Sequence, residues 1–168
     1  MRVSLYWRQV AEQVESLERA GKVSKVYHES VSSSGEEAMD AIKRMNEKSY
    51  KLVKAKCAAG ATVQALEDKD SLDEYLDWSM CLSVVGRSQN VVRKIIDFRE
   101  EAAKRREEHI SKRINETLKE NEAAMLIMTD ENRMRIQPKL SSDIQVFWFI
   151  RQLSTMFSAG SETTCQNK

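Results

Sequence analysis

The chain has 168 residues, 41% of them hydrophobic and 32% charged. That fits one domain with a sizeable core, and a domain of this size buries ~70% of the surface its unfolded chain exposes without needing a disulfide or metal. Lys and Arg number 27 against 26 Asp and Glu, which argues against a non-specific nucleic-acid binder.

Cys57, Cys81 and Cys165 are odd in number, far apart and without a C-x-x-C pair, so free thiols in a reducing compartment are expected. No stretch approaches the ~20 apolar residues of a membrane span, and Arg8 and Glu12 stand where a signal peptide would need an apolar run. The expectation is a soluble, cytoplasmic protein with no membrane partner.

In chain order, Val3, Tyr6, Val10, Val14 and Leu17 recur at helical spacing and predict a helix over 3–20, capped by Gly21. A short β-branched strand follows over about 23–31, then a loop at Ser32, Ser33, Ser34 and Gly35. The next helix carries Ala38, Ile42, Met45, Leu52 and Val53 on one face. Shorter helices are predicted over 61–69 and 72–85, and the longest over about 89–121. AAMLIMTD is a continuous apolar run of the kind a fully buried strand shows. DIQVFWFI is the third strand candidate.

Three strands separated by helices predict an α/β, helix-rich fold: a small, mostly parallel three-stranded sheet covered by helices. About 14 residues separate the last two strands, which leaves an antiparallel pairing there open. Residues 1–157 are expected as a single domain and 158–168 as a flexible polar tail.

The long helix carries the most specific pattern. On a wheel, Ala103, Ile110, Ile114, Val92 and Leu118 fall within about 40° of Ile96, and Ile95, Ala102, Val91 and Phe98 widen the apolar arc. Arg99, Arg106 and Arg113 lie within that arc, with His109 close by. A buried guanidinium needs a carboxylate, carbonyls, water or an anion. Carboxylates stand at the expected C-terminal ends of strands: Glu29 after the first, Asp130 and Glu131 after the second. Ligands of open α/β sheets gather at such ends. A polar site of Arg99, Arg106, His109 and Arg113 facing Glu29, Asp130 and Glu131 is therefore one reading. The other is structural: arginine stems lying along apolar surface, or a subunit seam.

Other signals are weaker. The helix start after Ser34 suits an anion, but Ser33 or Ser34 also serves as an N-cap, and Glu36 and Glu37 already complement the dipole. His28 beside Glu29 suits acid–base work, although neighbours on a strand point to opposite faces. Two histidines and scattered cysteines make a zinc site unexpected. There is no Walker loop, G-x-G-x-x-G or G-x-S-x-G, so neither metal nor cofactor is expected. Tyr75, Trp78, Met80 and Met39 read as core. Phe147, Trp148 and Phe149 would suit a subunit interface if their strand lies at an edge.

The stretch EEHISKRINETLKENEAAMLIMTDENRMRIQPKLSSDIQVF resembles the end of a small prokaryotic protein family without assigned activity. YWRQVAEQVESLE, KVYHES and EYLDW have the same character, so the resemblance covers most of the chain up to about Phe147. More distantly, the arginine-bearing helix followed by a buried strand resembles the closing section of TraB/GumN-like proteins, with the pattern R-D-R-x-x-A-x-x-I. Arg106, Ile110 and Ile114 lie on that pattern. Glu108 stands where its second arginine would be, and Thr129-Asp130-Glu131-Asn132 lacks the glycines and histidine of its turn. What the resemblance implies is a helix-then-strand order.

Two functions follow from these patterns. One is a non-catalytic interaction or oligomerising module, expected to be a homo-oligomer, that uses the long helix and the aromatic strand. The other is a small enzyme or sensor that binds an anionic small molecule or phosphoester at the strand ends. An RNA-associated role lacks the interleaved basic and aromatic residues it would need. The short catalytic inventory favours the first.

Overall fold

The computed structural model describes residues 8–13, 15, 21–84 and 86–147. In chain order the elements are β1 (Val23–His28), α1 (Gly35–Met45), α2 (Glu47–Ala58), β2 (Thr62–Gln64), α3 (Lys69–Val84), α4 (Gln89–Thr117), β3 (Ala123–Ile127), α5 (Asp130–Ile136) and a single 3-10 turn at Gln137–Lys139. The fold is the expected helix-rich α/β type, with an all-parallel three-stranded sheet in the order β2-β1-β3. Residues 8–13 and 15 are helical, within the expected first helix. The remainder of that helix, the 158–168 tail and residues 148–150 lie outside the described residues.

Side-chain alternation along β1 and β3 makes two cores, one on each face of the sheet. Val26 and Met125 face α1 and α2, where Ala38, Ile42, Leu52 and Val53 close the first core. Tyr27 faces the other way, onto Ile110 and Ile114 of α4 and Ile136 of α5, with Leu66 beneath. The Tyr27 hydroxyl reaches the Thr117 hydroxyl at 2.7 Å, which ties the last turn of α4 to the central strand.

Three sequence expectations are corrected. The helix expected to carry both Ile42 and Val53 is two helices, broken at Asn46, whose backbone is extended (φ −156°, ψ 103°). Asn46 closes α1 through its amide to the Ile42 carbonyl and opens α2 by accepting from the Lys48 and Ser49 amides. An asparagine able to serve as N-cap makes a break there cheaper than continuing.

Residues 61–68 are not helical, and the next helix begins only at Lys69. Gly60, at φ 103°, turns the chain straight from α2 into β2, and Ala61 and Val63 are buried as a strand would bury them. Residues 143–147 of DIQVFWFI form no strand, and among the described residues the third strand is Thr62–Gln64. With helical crossovers between all three strands, the question of an antiparallel pairing falls away.

α4 is 29 residues long, about 43 Å at 1.5 Å per residue. Ser88 caps its start by accepting from the Val91 amide. Only its C-terminal half lies on the sheet. Its N-terminal half pairs with α3, which packs chiefly against α4, to form a helical hairpin. No helix among the described residues is long and apolar enough to cross a membrane.

Replacing Asn46 with alanine removes the shared cap between α1 and α2. A loss of about 1 kcal/mol is expected, read as a lower urea midpoint at unchanged m-value.

Candidate functional site

The three parallel strands end side by side, and an acidic residue follows each within three positions: Glu29, Glu67 and Asp130. The turn after β1 places Ser30 at φ 65°, and its amide donates to Glu67 Oε1 at 3.0 Å. The amides of Leu66 and Glu67 both donate to the Val31 carbonyl at 3.0 Å, which zips the loops after β1 and β2 together. Glu67 is thereby carried into the interior, with a side-chain exposure of 0%.

Arg106 meets it there. From the middle of α4, its Nε and Nη2 donate to the two oxygens of Glu67 at 2.8 and 2.5 Å. Nη2 also reaches Glu29 Oε1 at 3.4 Å. The guanidinium lies over the Tyr75 ring, 5.2 Å from its centroid. Glu29 accepts as well from the Thr129 amide at 2.6 Å and from the Asn132 side chain. One guanidinium and two carboxylates thus join the ends of all three strands to α3, α4 and α5. Burial opposes the charge on Arg106, but the hydrogen bonds and charge of Glu67, followed by the charge of Glu29, outweigh it and raise the guanidinium above its ordinary value.

The residues singled out in the sequence come together only in part. Arg106 pairs with Glu29, and Glu131 lines the cleft that Arg99 and Arg106 also border, but neither Asp130 nor Glu131 pairs with an arginine of α4. Asp130 accepts from Arg133 Nε at 2.8 Å, and Glu131 pairs with Arg135 Nη2 at 3.7 Å. Both acids lie in the first turn of α5, where they complement the helix dipole. Asn132 reaches back to Glu29 instead.

Arg99 donates to the Tyr75 hydroxyl at 2.8 Å and to the Ser79 hydroxyl at 3.1 Å, both on α3. Arg113 Nε donates to the Ala65 carbonyl at 3.2 Å, just past β2. His109 is half-buried near Asp68, whose carboxyl is held low by the amide and hydroxyl of Ser71 and, less, by His109.

His28 points to the opposite face of the sheet from Tyr27. Its Nδ1 lies 2.7 Å from the Glu29 carbonyl oxygen and its Nε2 lies 3.2 Å from the Ser49 hydroxyl of α2. Burial pushes its imidazole below the ordinary 6.5, against a weaker upward pull from the Glu29 carbonyl and charge.

The sequence reading missed Glu67, which decides the arrangement, because 61–69 read as helical. The available signal was the β-branched Thr62-Val63 pair after Gly60, followed by an acid as in the other two strands. It also missed Glu107. This residue is buried one position beyond Arg106 and binds Lys139 Nζ at 2.8 Å and Arg135 Nη1 at 3.3 Å, fastening the C-terminal segment to α4.

A small polar cleft lined by Tyr75, Arg99, Arg106, Glu131, Asn132 and Arg135 borders the cluster. Among the described residues no buried side-chain nitrogen or oxygen lacks a hydrogen-bond partner, and no group of three or more metal-ligating side chains is assembled.

Truncating one member of an enclosed ion pair strands the other. Arg106→Leu is expected to cost about 3–5 kcal/mol of unfolding free energy, and adding Glu67→Leu should recover a large part of that loss. Urea melts of the two variants check this.

His28 sets a pH dependence. Its folded value is depressed, so between the folded and unfolded values the unfolded chain binds the proton. Its stabilising contribution is complete above about pH 6.5 and is lost as pH falls through the folded value. Urea midpoints taken from about pH 7.5 to about pH 5.5 should decline, and His28→Asn should flatten that decline.

No family model, no curated protein and no solved structure matches this chain.

Proposed function

We propose that this chain is a non-catalytic, self-associating module. On this reading the Arg106 cluster is an internal strut, and the α3–α4 hairpin is the working surface. The carrying observation is an apolar stripe left open on α3. Leu76, Met80 and Val84 are 48%, 66% and 78% exposed, and they follow one another at four-residue spacing along one face of the helix.

Burying side chains of this size gains about 1.5–3 kcal/mol each, and contiguous exposed apolar surface of this kind marks an interaction site. On α4, Val91, Ile96 and Phe98 are exposed as well. Phe98 is partly occupied by a stack on Trp78, with ring centroids 4.9 Å apart.

The alternative is an anion-binding enzyme or sensor at the strand ends. Arg106, the arginine at those ends, is neutralised by two carboxylates, while Arg113 reaches a carbonyl and Arg99 two hydroxyls of its own hairpin. These contacts support the structural role of the arginines. The 147–149 aromatic run, the other interface expected from the sequence, begins at an exposed Phe147 and continues outside the described residues.

Light scattering should return twice the chain mass of 19.3 kDa. The double variant Leu76→Glu/Met80→Glu should return the single mass with an unchanged far-UV spectrum. Phosphate, sulfate and nucleotides should leave the thermal midpoint where it is, since only a ligand of the folded state raises it. A single-chain mass at the highest attainable concentration overturns the proposal, as does a saturable rise in midpoint with an anion that Arg106→Leu removes.

A further inference from the structure

We infer that the Ser49 hydroxyl is a two-position proton relay. It donates to His28 while the imidazole is neutral and turns to the Asn46 carbonyl when the imidazole is charged, so the junction of α1 and α2 registers the ring's protonation.

The placement follows from where two elements end. His28 is the last residue of β1, and its ring reaches α2 on one face of the sheet. Asn46 ends α1 and caps α2, which makes Ser49 the third residue of α2 and turns its side chain back onto the Asn46 backbone. Ser49 is 1% exposed and His28 8%, so water does not replace a bond that either one loses.

The protons of this cluster can be assigned from its acceptors. The Glu29 carbonyl oxygen, 2.7 Å from His28 Nδ1, can only accept, so Nδ1 carries a proton in both charge states. In the neutral ring Nε2 is then a bare acceptor. Ser49 Oγ lies 3.2 Å from Nε2 and 3.0 Å from the Asn46 carbonyl oxygen, with one proton to give to either. The Asn46 carbonyl also accepts from the Tyr50 amide at 3.0 Å. Nε2 has no second donor among the described residues. The hydroxyl therefore serves Nε2, the acceptor that would otherwise be buried empty.

A proton on Nε2 reverses that bond. Nε2 becomes the donor and Ser49 Oγ the acceptor. The hydroxyl proton swings to the Asn46 carbonyl, whose second lone pair takes it alongside the Tyr50 amide. The charged ring is then bonded at both nitrogens, and only hydrogens have moved. The added bond falls on the carbonyl that starts the first turn of α2.

Few ionised groups approach the ring. Arg8, Glu12 and Glu15 of the first helix, Glu36, Glu37, Asp40, Lys43 and Arg44 of α1, and Glu47, Lys51 and Lys54 of α2 are exposed, and Lys48 is half-buried. The buried Lys56 lies seven residues beyond Ser49, about 10 Å along α2. Glu29, whose carboxylate also pairs with Arg106, is the one charge that acts on the imidazole.

Carbon and nitrogen NMR of the full chain, followed downward from about pH 7.5 through the His28 midpoint, tests the relay. The neutral ring should carry its proton on Nδ1, and the Asn46 carbonyl carbon should shift with the same midpoint as the ring. In Ser49→Ala the carbonyl should no longer follow the ring. The proton affinity of His28 should fall about tenfold there, because the imidazolium loses a charge-assisted bond and the neutral ring only a weaker one.

A proton on Nε2 of the neutral ring overturns the relay, as does an Asn46 carbonyl that stays still while His28 titrates. It falls equally if the chain unfolds before His28 takes up its proton, or if a folded Ser49→Ala chain keeps the wild-type proton affinity. The wild-type signals decide the matter even where Ser49→Ala fails to fold.

Discussion

The Glu67 side chain is fully buried, so the whole C-terminal edge of the sheet is arranged to keep it company. Its carboxylate takes two hydrogen bonds from Arg106 and one from the Ser30 amide. The Ser30 amide can aim there only because the chain turns through a left-handed conformation after β1. Glu29, the second acid at that edge, shares the guanidinium and also collects the Thr129 amide and Asn132. Moving any one of these elements leaves a charge buried without its partner, at a cost of several kcal/mol. The register of the strand ends, the depth of α4 and the start of α5 are one coupled decision.

That decision divides α4 into two working lengths. Beyond Arg106, Ile110 and Ile114 press on Tyr27, and Thr117 holds its hydroxyl. Before Arg106 the sheet is gone, and α3 supplies the cover through Tyr75, Trp78 and Ser79. Leu72 alone is buried on α3, against eight buried residues on α4. A helix with so little of its own core, held on α4 and showing three large apolar side chains, leaves that surface uncovered among the described residues.

The legible parts of the fold were those with a clear period. β1, β3, α3 and α4 announce themselves by apolar runs or by 3–4 spacing, and the arginines on the inward arc of α4 signalled that something acidic lay opposite. The illegible parts were short or locally ambiguous. Thr62–Gln64 is three residues long, too short for alternation to register, and so Glu67 was hidden inside an apparent helix. Asn46 divides a pattern whose apolar spacing runs on regardless, because a cap is a hydrogen-bonding event and leaves hydrophobicity unchanged. Asp130 and Glu131 have the right charge at the right strand end, but a helix starts there and draws both acids into its own first turn. Met80 read as core, since nothing in one chain's sequence separates a stripe buried within a fold from one left exposed on it.

An apolar residue of similar size at Arg106 would be cheaper in free energy, which raises the question of what the ion pair contributes instead. α4 meets the sheet and α3 through Ala102, Ala103, Ile110 and Ile114, small or aliphatic contacts that a one-turn slide would replace with others of the same kind. Carboxylate oxygens are not interchangeable in that way. The two-toothed contact with Glu67 is satisfied at one position along the helix axis and lost about 5 Å away, one turn up or down. The ion pair therefore fixes how far the hairpin stands out from the sheet, and with it where Leu76, Met80 and Val84 are held. On the proposed reading, a docking face built from three apolar side chains has little area to absorb misplacement, and an internal network that sacrifices some stability for position would serve it.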